Sequence, residues 1–169
     1  RNTTSKLVNR PLLPWVRGFM SRRWGNPGHF DQTGGTATVT GQIRVGHWPN
    51  ETSVYDMSGG TLTNSGGLFV GWDGVGDMDV TGNAIVNANG GVQIQRNSTL
   101  TIGGDADFDS PVIQVGQSRG SGTLQVQGDA DVDAMRLDVG NPFGVSGAVE
   151  QSGGEITLTG GGGLPSLRL

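Results

Sequence analysis

Apolar and polar residues alternate in short stretches along this chain, and glycines separate the stretches. Leu100 and Ile102, for example, stand on either side of Thr101, and Thr99 precedes them. An alternation with a period of two is typical of a β-strand that buries one face and exposes the other. We therefore expect a chain built of many short strands.

A glycine marks each repeat of this pattern, in a segment of the form Gly-x-apolar-x-apolar. Successive marker glycines lie 22 to 26 residues apart, at Gly35, Gly60, Gly82, Gly104, Gly128 and Gly154. A repeat of this length is the signature of one supersecondary unit stacked on the next. About six such units follow one another from residue 29 onwards.

Three alternating stretches occur in each repeat. The first precedes the marker glycine, the second follows it directly, and the third is closed by another glycine in most repeats. Equivalent stretches are expected to stack about 4.8 Å apart, because one repeat cannot bury its apolar face alone. The sequence therefore predicts an all-β parallel β-solenoid, or β-helix, of about six coils of 22–26 residues with three short strands per coil.

Alignment on the glycines also predicts which side chains stack in the interior. Each apolar residue of one stretch is expected to lie on its counterpart in the next coil. The expected pairs include Tyr55 on Met78, Val45 on Val70, Leu62 on Ala84 and Ala130 on Ile156.

The charges divide the chain into three segments. Six of the 11 basic residues precede residue 24, whereas the first acidic residue is Asp31, and the net charge of the whole chain is −4. We assign residues 1–28 as a basic, non-repetitive N-terminal arm or cap, residues 29–160 as the solenoid, and residues 161–169 as an apolar C-terminal tail. Nucleic acid is not expected as a partner, because the acidic body would repel phosphate groups.

Several classes of protein are disfavoured by composition. The chain has no cysteine and no run of eighteen apolar residues, which argues against disulfides, thiolate metal sites and a membrane-spanning helix. A chain that begins with Arg1 is expected to be a processed or excerpted form. Parallel β-solenoids include enzymes that act on polysaccharides, but His29 and His47 fall in no catalytic or metal-binding pattern. We therefore expect no catalytic residues, and a polysaccharide-acting enzyme is the least favoured alternative.

Three phrases of the repeats carry a resemblance to known proteins. FDQTGGTATVTGQIRVG, VYDMSGGTLTNSGGLFVG and VEQSGGEITLTG are similar to the glycine-rich repeats of secreted bacterial autotransporter-like and PEP-CTERM-type surface proteins. The resemblance covers residues 29 to about 160. It implies an exported protein, adhesive or structural, that is extracellular or on the cell surface.

The strand edges at the two ends of a short solenoid favour stacking of one copy on another. Our leading hypothesis is an extracellular structural protein, a subunit of a head-to-tail filament or surface fibre in which the N-terminal arm docks on a neighbouring copy. The alternative is that the arm caps its own solenoid. The expected interface combines apolar and basic residues of the arm with apolar residues of the tail, namely Leu7, Leu12, Leu13, Trp15, Val16, Arg17, Phe19, Met20, Arg22, Arg23, Leu164, Leu167 and Leu169.

Six aspartates are expected to stack on the outer face of the second strand. A ladder of like charges at the coil spacing is unfavourable unless something offsets it. A bridging Ca²⁺ ion, a basic arm from the same or another copy, and a simply solvated acidic face all remain open. No other cofactor is expected. The residues are Asp105, Asp107 and Asp109, over Asp129, Asp131 and Asp133.

Two tryptophans follow the third strand of neighbouring coils. Trp48 and Trp72 could form an aromatic platform for a sugar ring, which would make the protein a glycan-binding surface adhesin, or each could fold over its own loop. The sequence also contains three sequons for N-glycosylation, at Asn2, Asn50 and Asn97.

Overall fold

The computed structural model describes residues 27–117, 119–141, 144–160 and 166–169, together with the backbone of residues 4–7. Within these residues the chain forms strands and turns, and no helix is long and apolar enough to cross a membrane. The strands, in chain order, are β1 (Thr4–Leu7), β2 (His29–Val39), β3 (Ile43–Val45), β4 (Thr52–Asn64), β5 (Leu68–Val70), β6 (Val75–Val80), β7 (Ile85–Ala88), β8 (Val92–Ile94), β9 (Ser98–Ile102), β10 (Asp107–Val115), β11 (Gly122–Val126), β12 (Asp131–Val139), β13 (Gly147–Gln151), β14 (Glu155–Leu158) and β15 (Leu167–Arg168).

The strands form a parallel β-solenoid, so the predicted fold class is confirmed. Every described pair is parallel, and each strand away from the two ends hydrogen-bonds to its equivalents in the coils before and after it. The chain completes about five turns, slightly fewer than the six coils predicted. Three columns of strands run along the solenoid, one for each stretch of the repeat.

The first and third columns follow the predicted alignment residue by residue. In the first column, Tyr55 pairs with Phe30 on one side and with Met78 on the other. In the third column, Val45 pairs with Val70, which in turn pairs with Ile94. The inward residues of both columns therefore stack in continuous rows, as expected.

The second column departs from the predicted alignment at two junctions. Leu62 pairs with Val86 rather than Ala84, and Ile156 pairs with Val132 rather than Ala130. The third, fourth and fifth coils have one residue more at the corner before this strand than the other coils do. The corner alanines of those coils stay buried beside the strand, which explains why the alternation alone misplaced them.

The marker glycines all lie at corners where the backbone requires a positive φ. Their φ angles fall between 62° and 84° at Gly35, Gly60, Gly82, Gly104, Gly128 and Gly154. An L-residue with a side chain rarely adopts this conformation, so the recurrence of glycine follows from the geometry of the corner. The corner after β8 has no glycine there, and its positive φ angles fall on Arg96 and Asn97 instead.

The interior between the columns is closely packed and mostly apolar. Phe108, Met78 and Leu100 are fully buried at the centre, whereas the apolar residues of the last coil, such as Val149, are only partly covered. Burial therefore decreases towards the C-terminal coil, where no further strand of the described chain lies on the stack.

The N-terminal end of the solenoid is partly covered by its own chain, whereas the last residues of the described chain are exposed. Strand β1 pairs in parallel with the first half of β2, so residues 4–7 add a rung to the first column of the same chain. This placement agrees with the capping alternative for that part of the arm. At the other end, Leu167 and Leu169 are exposed. The remaining predicted interface residues, Leu12 to Arg23 and Leu164, lie outside the described residues, as does the side chain of Leu7.

Candidate functional site

The outward positions of the first column form a ladder of polar side chains. Paired residues of neighbouring parallel strands point to the same face of the sheet, so each coil places one outward residue at the same level. From the first coil to the last, the ladder consists of Asp31, Asp56, Asp79, Thr101, Gln125 and Glu150.

The middle of this ladder forms the floor of a groove of about 430 Å³. Hydrogen bonds between coils order its far end: the hydroxyl of Thr101 donates to Oε1 of Gln125 at 3.4 Å, and Nε2 of Gln125 donates to Oε2 of Glu150 at 2.9 Å. The groove residues come from four consecutive coils and are mostly polar: Asp56, Met57, Ser58, Asp79, Thr81, Thr101, Gln125 and Gln127.

A histidine lies at the N-terminal end of the ladder. Nε2 of His29 is 2.9 Å from Oδ1 of Asp31 and 2.7 Å from Oδ2 of Asp56. Within the described part of the chain, this is the one group of three possible metal ligands whose atoms lie within 4.8 Å of one another. The three side chains are exposed or half-exposed, and the short distances are equally those of a histidine hydrogen-bonded between two carboxylates.

The predicted aspartate ladder is present on the second column. Asp107 pairs with Asp131 and Asp109 with Asp133, and Asp129 continues the same hydrogen-bonding pattern opposite Asp105. Partial burial raises the pKa of Asp109, and the negative charges of Asp107, Asp133 and Asp131 raise it further. The structure does not bring three of these carboxylates together as a ligand group within 4.8 Å. The like-charge repulsion along these carboxylates remains in the structure, and a bridging Ca²⁺ ion stays a prediction.

Trp72 is enclosed by cations from other coils. The guanidinium carbon of Arg44, in the first coil, lies 4.0 Å from the centre of the Trp72 ring, and that of Arg119, in the fourth coil, lies 4.2 Å from it. Arg119 also forms an ion pair of 2.6 Å with Asp73, and the ring of Phe69 meets Trp72 edge-on. These contacts join residues of the first, second and fourth coils at one corner, so Trp72 packs between coils.

Trp48 and Trp72 make separate ring contacts, and glycan binding by this pair stays a prediction. Trp48 packs against His47, with ring centres 4.6 Å apart, and the described ring contacts do not join it to Trp72. Burial lowers the pKa of His47, as does the charge of Arg44, while Asp73 and Glu51 oppose the shift. With two guanidinium groups on its ring, Trp72 offers little free surface on which a sugar could stack.

No family model matches this chain, and neither a curated protein nor a solved structure matches it. The fold and the arrangement of side chains are therefore the basis for the functional proposals below.

Two of the three predicted glycosylation sites lie on exposed turns. Asn50 and Asn97 are exposed, and both have positive φ angles, of 63° and 58°. The hydroxyl of Ser121 hydrogen-bonds to the side-chain oxygen of Asn97, which ties that amide to the next coil. Asn2 lies outside the described residues. Glycosylation stays a prediction for these positions.

Proposed function

We propose that this protein is an extracellular structural subunit that stacks head to tail with copies of itself through the strand edges at the two ends of the solenoid. The proposal is carried by one observation: within the described chain, β13 and β14 pair with a neighbour on one side only. An unpaired edge of parallel strands is a template for another strand.

Alternate residues of a strand direct their backbone N–H and C=O groups to opposite sides, and this alternation identifies the free groups at this edge. The amide of Ser152 donates to Val126 and that of Glu155 donates to Ala130, so these residues face the preceding coil. In a parallel strand the intervening residues point the other way. The backbone groups of Gln151 and Ile156 therefore face away from the solenoid, where a second copy can meet them.

The opposite end offers a matching edge. Strand β1 covers only the first half of β2, whereas residues 36–39 of β2 and strand β3 have a described partner on one side only. Stacking in register would lay β14 of one copy on residues 36–39 of the next and continue the second column across the junction. Partly covered Val149 and Leu158 would then become buried.

The distribution of charge also favours contact between the N-terminal end of one copy and the C-terminal end of the next. Six basic residues precede residue 24, and the last coils carry Glu150 and Glu155 beside the aspartates of the second column. Because β1 lies on its own solenoid, we assign any docking of the arm on a neighbour to residues 8–28. Location outside the cell, and kinship with autotransporter-like or PEP-CTERM-type surface repeats, belong to the same proposal and rest on the glycine-rich phrases of the repeats.

Electron microscopy of negatively stained protein over a range of concentrations tests the proposal. We expect fibres or short rods of stacked copies that grow longer with concentration. The variant Gln151→Pro removes an outward N–H group and is expected to shorten them, whereas the control Gln151→Ala keeps that group and should assemble normally. Isolated particles at every concentration, from protein that is folded by circular dichroism, would overturn the proposal.

Deletion of residues 1–20 separates the two roles of the arm. A folded chain that no longer assembles would assign the arm to the junction between copies. General unfolding would assign it to the cap, and assembly would then depend on the strand edges alone.

A further inference from the structure

We propose that the groove on the first column binds an extended, uncharged chain of sugar units, laid along the solenoid axis with about one unit per coil. The proposal is independent of head-to-tail assembly, because the groove lies on the side of the solenoid and the junctions lie at its ends.

The repeat of the groove is the first reason. Its floor presents one polar side chain from each of four successive coils, namely Asp56, Asp79, Thr101 and Gln125. Successive coils rise by about 4.8 Å. One pyranose unit in an extended chain has a similar length, so a linear glycan can present an equivalent hydroxyl group to each rung.

The chemistry of the lining is the second reason. The groove offers carboxylates that accept hydrogen bonds, hydroxyl groups that both donate and accept, and amides that do both through separate atoms. Sugar hydroxyl groups need this mixture. In the described part of the chain, the side chains of Ser58, Asp79, Thr81 and Gln127 have no hydrogen-bond partner of their own, which leaves them available to a ligand.

Charge decides between neutral and acidic ligands. Asp56 and Asp79 lie in the groove, Asp31 and Glu150 continue the ladder at its ends, and the lining residues that the structure describes include no lysine or arginine. Partial burial raises the pKa of neighbouring Asp77, and the charge of Asp79 raises it further, consistent with a negative potential along this face. Uronic acids, sulfated sugars and nucleic acids would all be repelled here.

A peptide is the less suitable occupant. Peptides that bind solenoid or sheet surfaces usually add to a free strand edge or insert apolar side chains into pockets. The backbone groups beneath this groove already pair between coils, and Met57 is the one apolar residue of the lining. The groove therefore provides neither feature.

An array of linear oligosaccharides, followed by calorimetry, tests the proposal on the intact chain. The array contains neutral hexose oligomers of two to eight units and uronic-acid oligomers of the same lengths. We expect binding to at least one neutral series, with an affinity that rises with chain length up to about four units and then levels off, because four coils line the groove.

Three variants locate the site. Asp79→Ala and Gln125→Ala should each weaken binding about tenfold, the effect of one lost hydrogen bond to the ligand. The control Gln114→Ala changes an outward glutamine of the third column and should leave the affinity unchanged. Circular dichroism and thermal unfolding establish that each variant is folded.

Several results would overturn the proposal. They are the absence of binding to any neutral series, a preference for uronic acids or for a library of extended peptides, and affinities that Asp79→Ala and Gln125→Ala leave unchanged. A failure to form fibres would not bear on it, so the two proposals can fail separately.

Discussion

The hydroxyl group of Tyr55 donates a hydrogen bond of 2.8 Å to Oε1 of Gln32 in the preceding coil. Nε2 of the same glutamine donates to the carbonyl oxygen of Thr61 at 3.2 Å, so both ends of a fully buried amide have partners. Burial raises the pKa of Tyr55, which keeps the hydroxyl protonated and able to donate. A polar residue at an interior position of the first coil is thus accommodated by two residues of the second.

Replacing Tyr55→Phe is expected to destabilise the fold by about 1–3 kcal/mol, because Oε1 of Gln32 is left buried without a donor. Urea unfolding measures the change. In the double variant Tyr55→Phe/Gln32→Leu both polar groups are absent, and part of the lost stability should return. An equal or larger loss in the double variant would show that the hydrogen bond contributes little.

Glycines of the chain differ sharply in what they tolerate. Gly71 has a φ of 84°, and a Cβ atom there would overlap the backbone oxygen of Gln95 and the side chain of Ser98. At Gly34 an added Cβ atom would have no neighbouring atom within 4 Å, and the φ angle of Gly34 is not positive. We expect Gly71→Ala to lower stability by about 3 kcal/mol or more, and Gly34→Ala to change it by less than about 0.5 kcal/mol. Similar thermal unfolding of the two variants would contradict this account of the corners.

Local patterning sufficed to predict the columns and the interior. The alternation around Leu100 and the spacing of the glycines each report a strand or a corner, and stacking of coils turns these local signals into a fold. The second column was misplaced between coils because alanines at the corner satisfy the same alternation as the strand after it. A one-residue change in corner length cannot be read from such a pattern.

Only some of the candidate sites could be predicted from the sequence. The aspartate ladder was predicted correctly, since it repeats in register within two neighbouring coils. The enclosure of Trp72 by Arg44 and Arg119 was not, because these residues come from the first and fourth coils and corners of unequal length bring them together. The groove was missed as well, although the outward ladder from Asp31 to Glu150 could have been read from the confirmed alignment of the first column.

The cluster around Trp72 should contribute to stability across coils. Arg119→Met keeps much of the side-chain volume but removes the charge that contacts Trp72 and pairs with Asp73. We expect a loss of about 1–2 kcal/mol in urea unfolding, the combined scale of a cation–π contact and a partly exposed ion pair. Arg168→Met, near the end of the chain and 3.7 Å from Asp138, is the matched control and should have little effect. In the background Trp72→Leu, the effect of Arg119→Met should become smaller.

The stability contributed by Asp109 depends on pH. Its pKa is raised from 3.8 in the folded state, chiefly by partial burial and then by Asp107, Asp133 and Asp131. The protonated form is therefore favoured by folding: this contribution is fully present below pH 3.8 and is lost as the pH rises through the folded-state pKa. Asp109→Asn should be more stable than the parent chain at pH 7, by about 0.5 kcal/mol or less because the group is largely exposed, with no advantage at pH 3.

Urea unfolding at the two pH values checks this prediction. A variant that is less stable than the parent chain at pH 7 would instead show that the carboxylate of Asp109 has a favourable partner, such as a bound cation.

The parallel pairing of every described strand has a mechanical consequence. The hydrogen bonds between coils run along the length of the solenoid, so tension applied between its two ends pulls them open one rung after another rather than shearing a whole sheet at once. Stretched in this way, the protein would lengthen in discrete steps of roughly one coil of chain, each at modest force, and would rewind on the coils that remain.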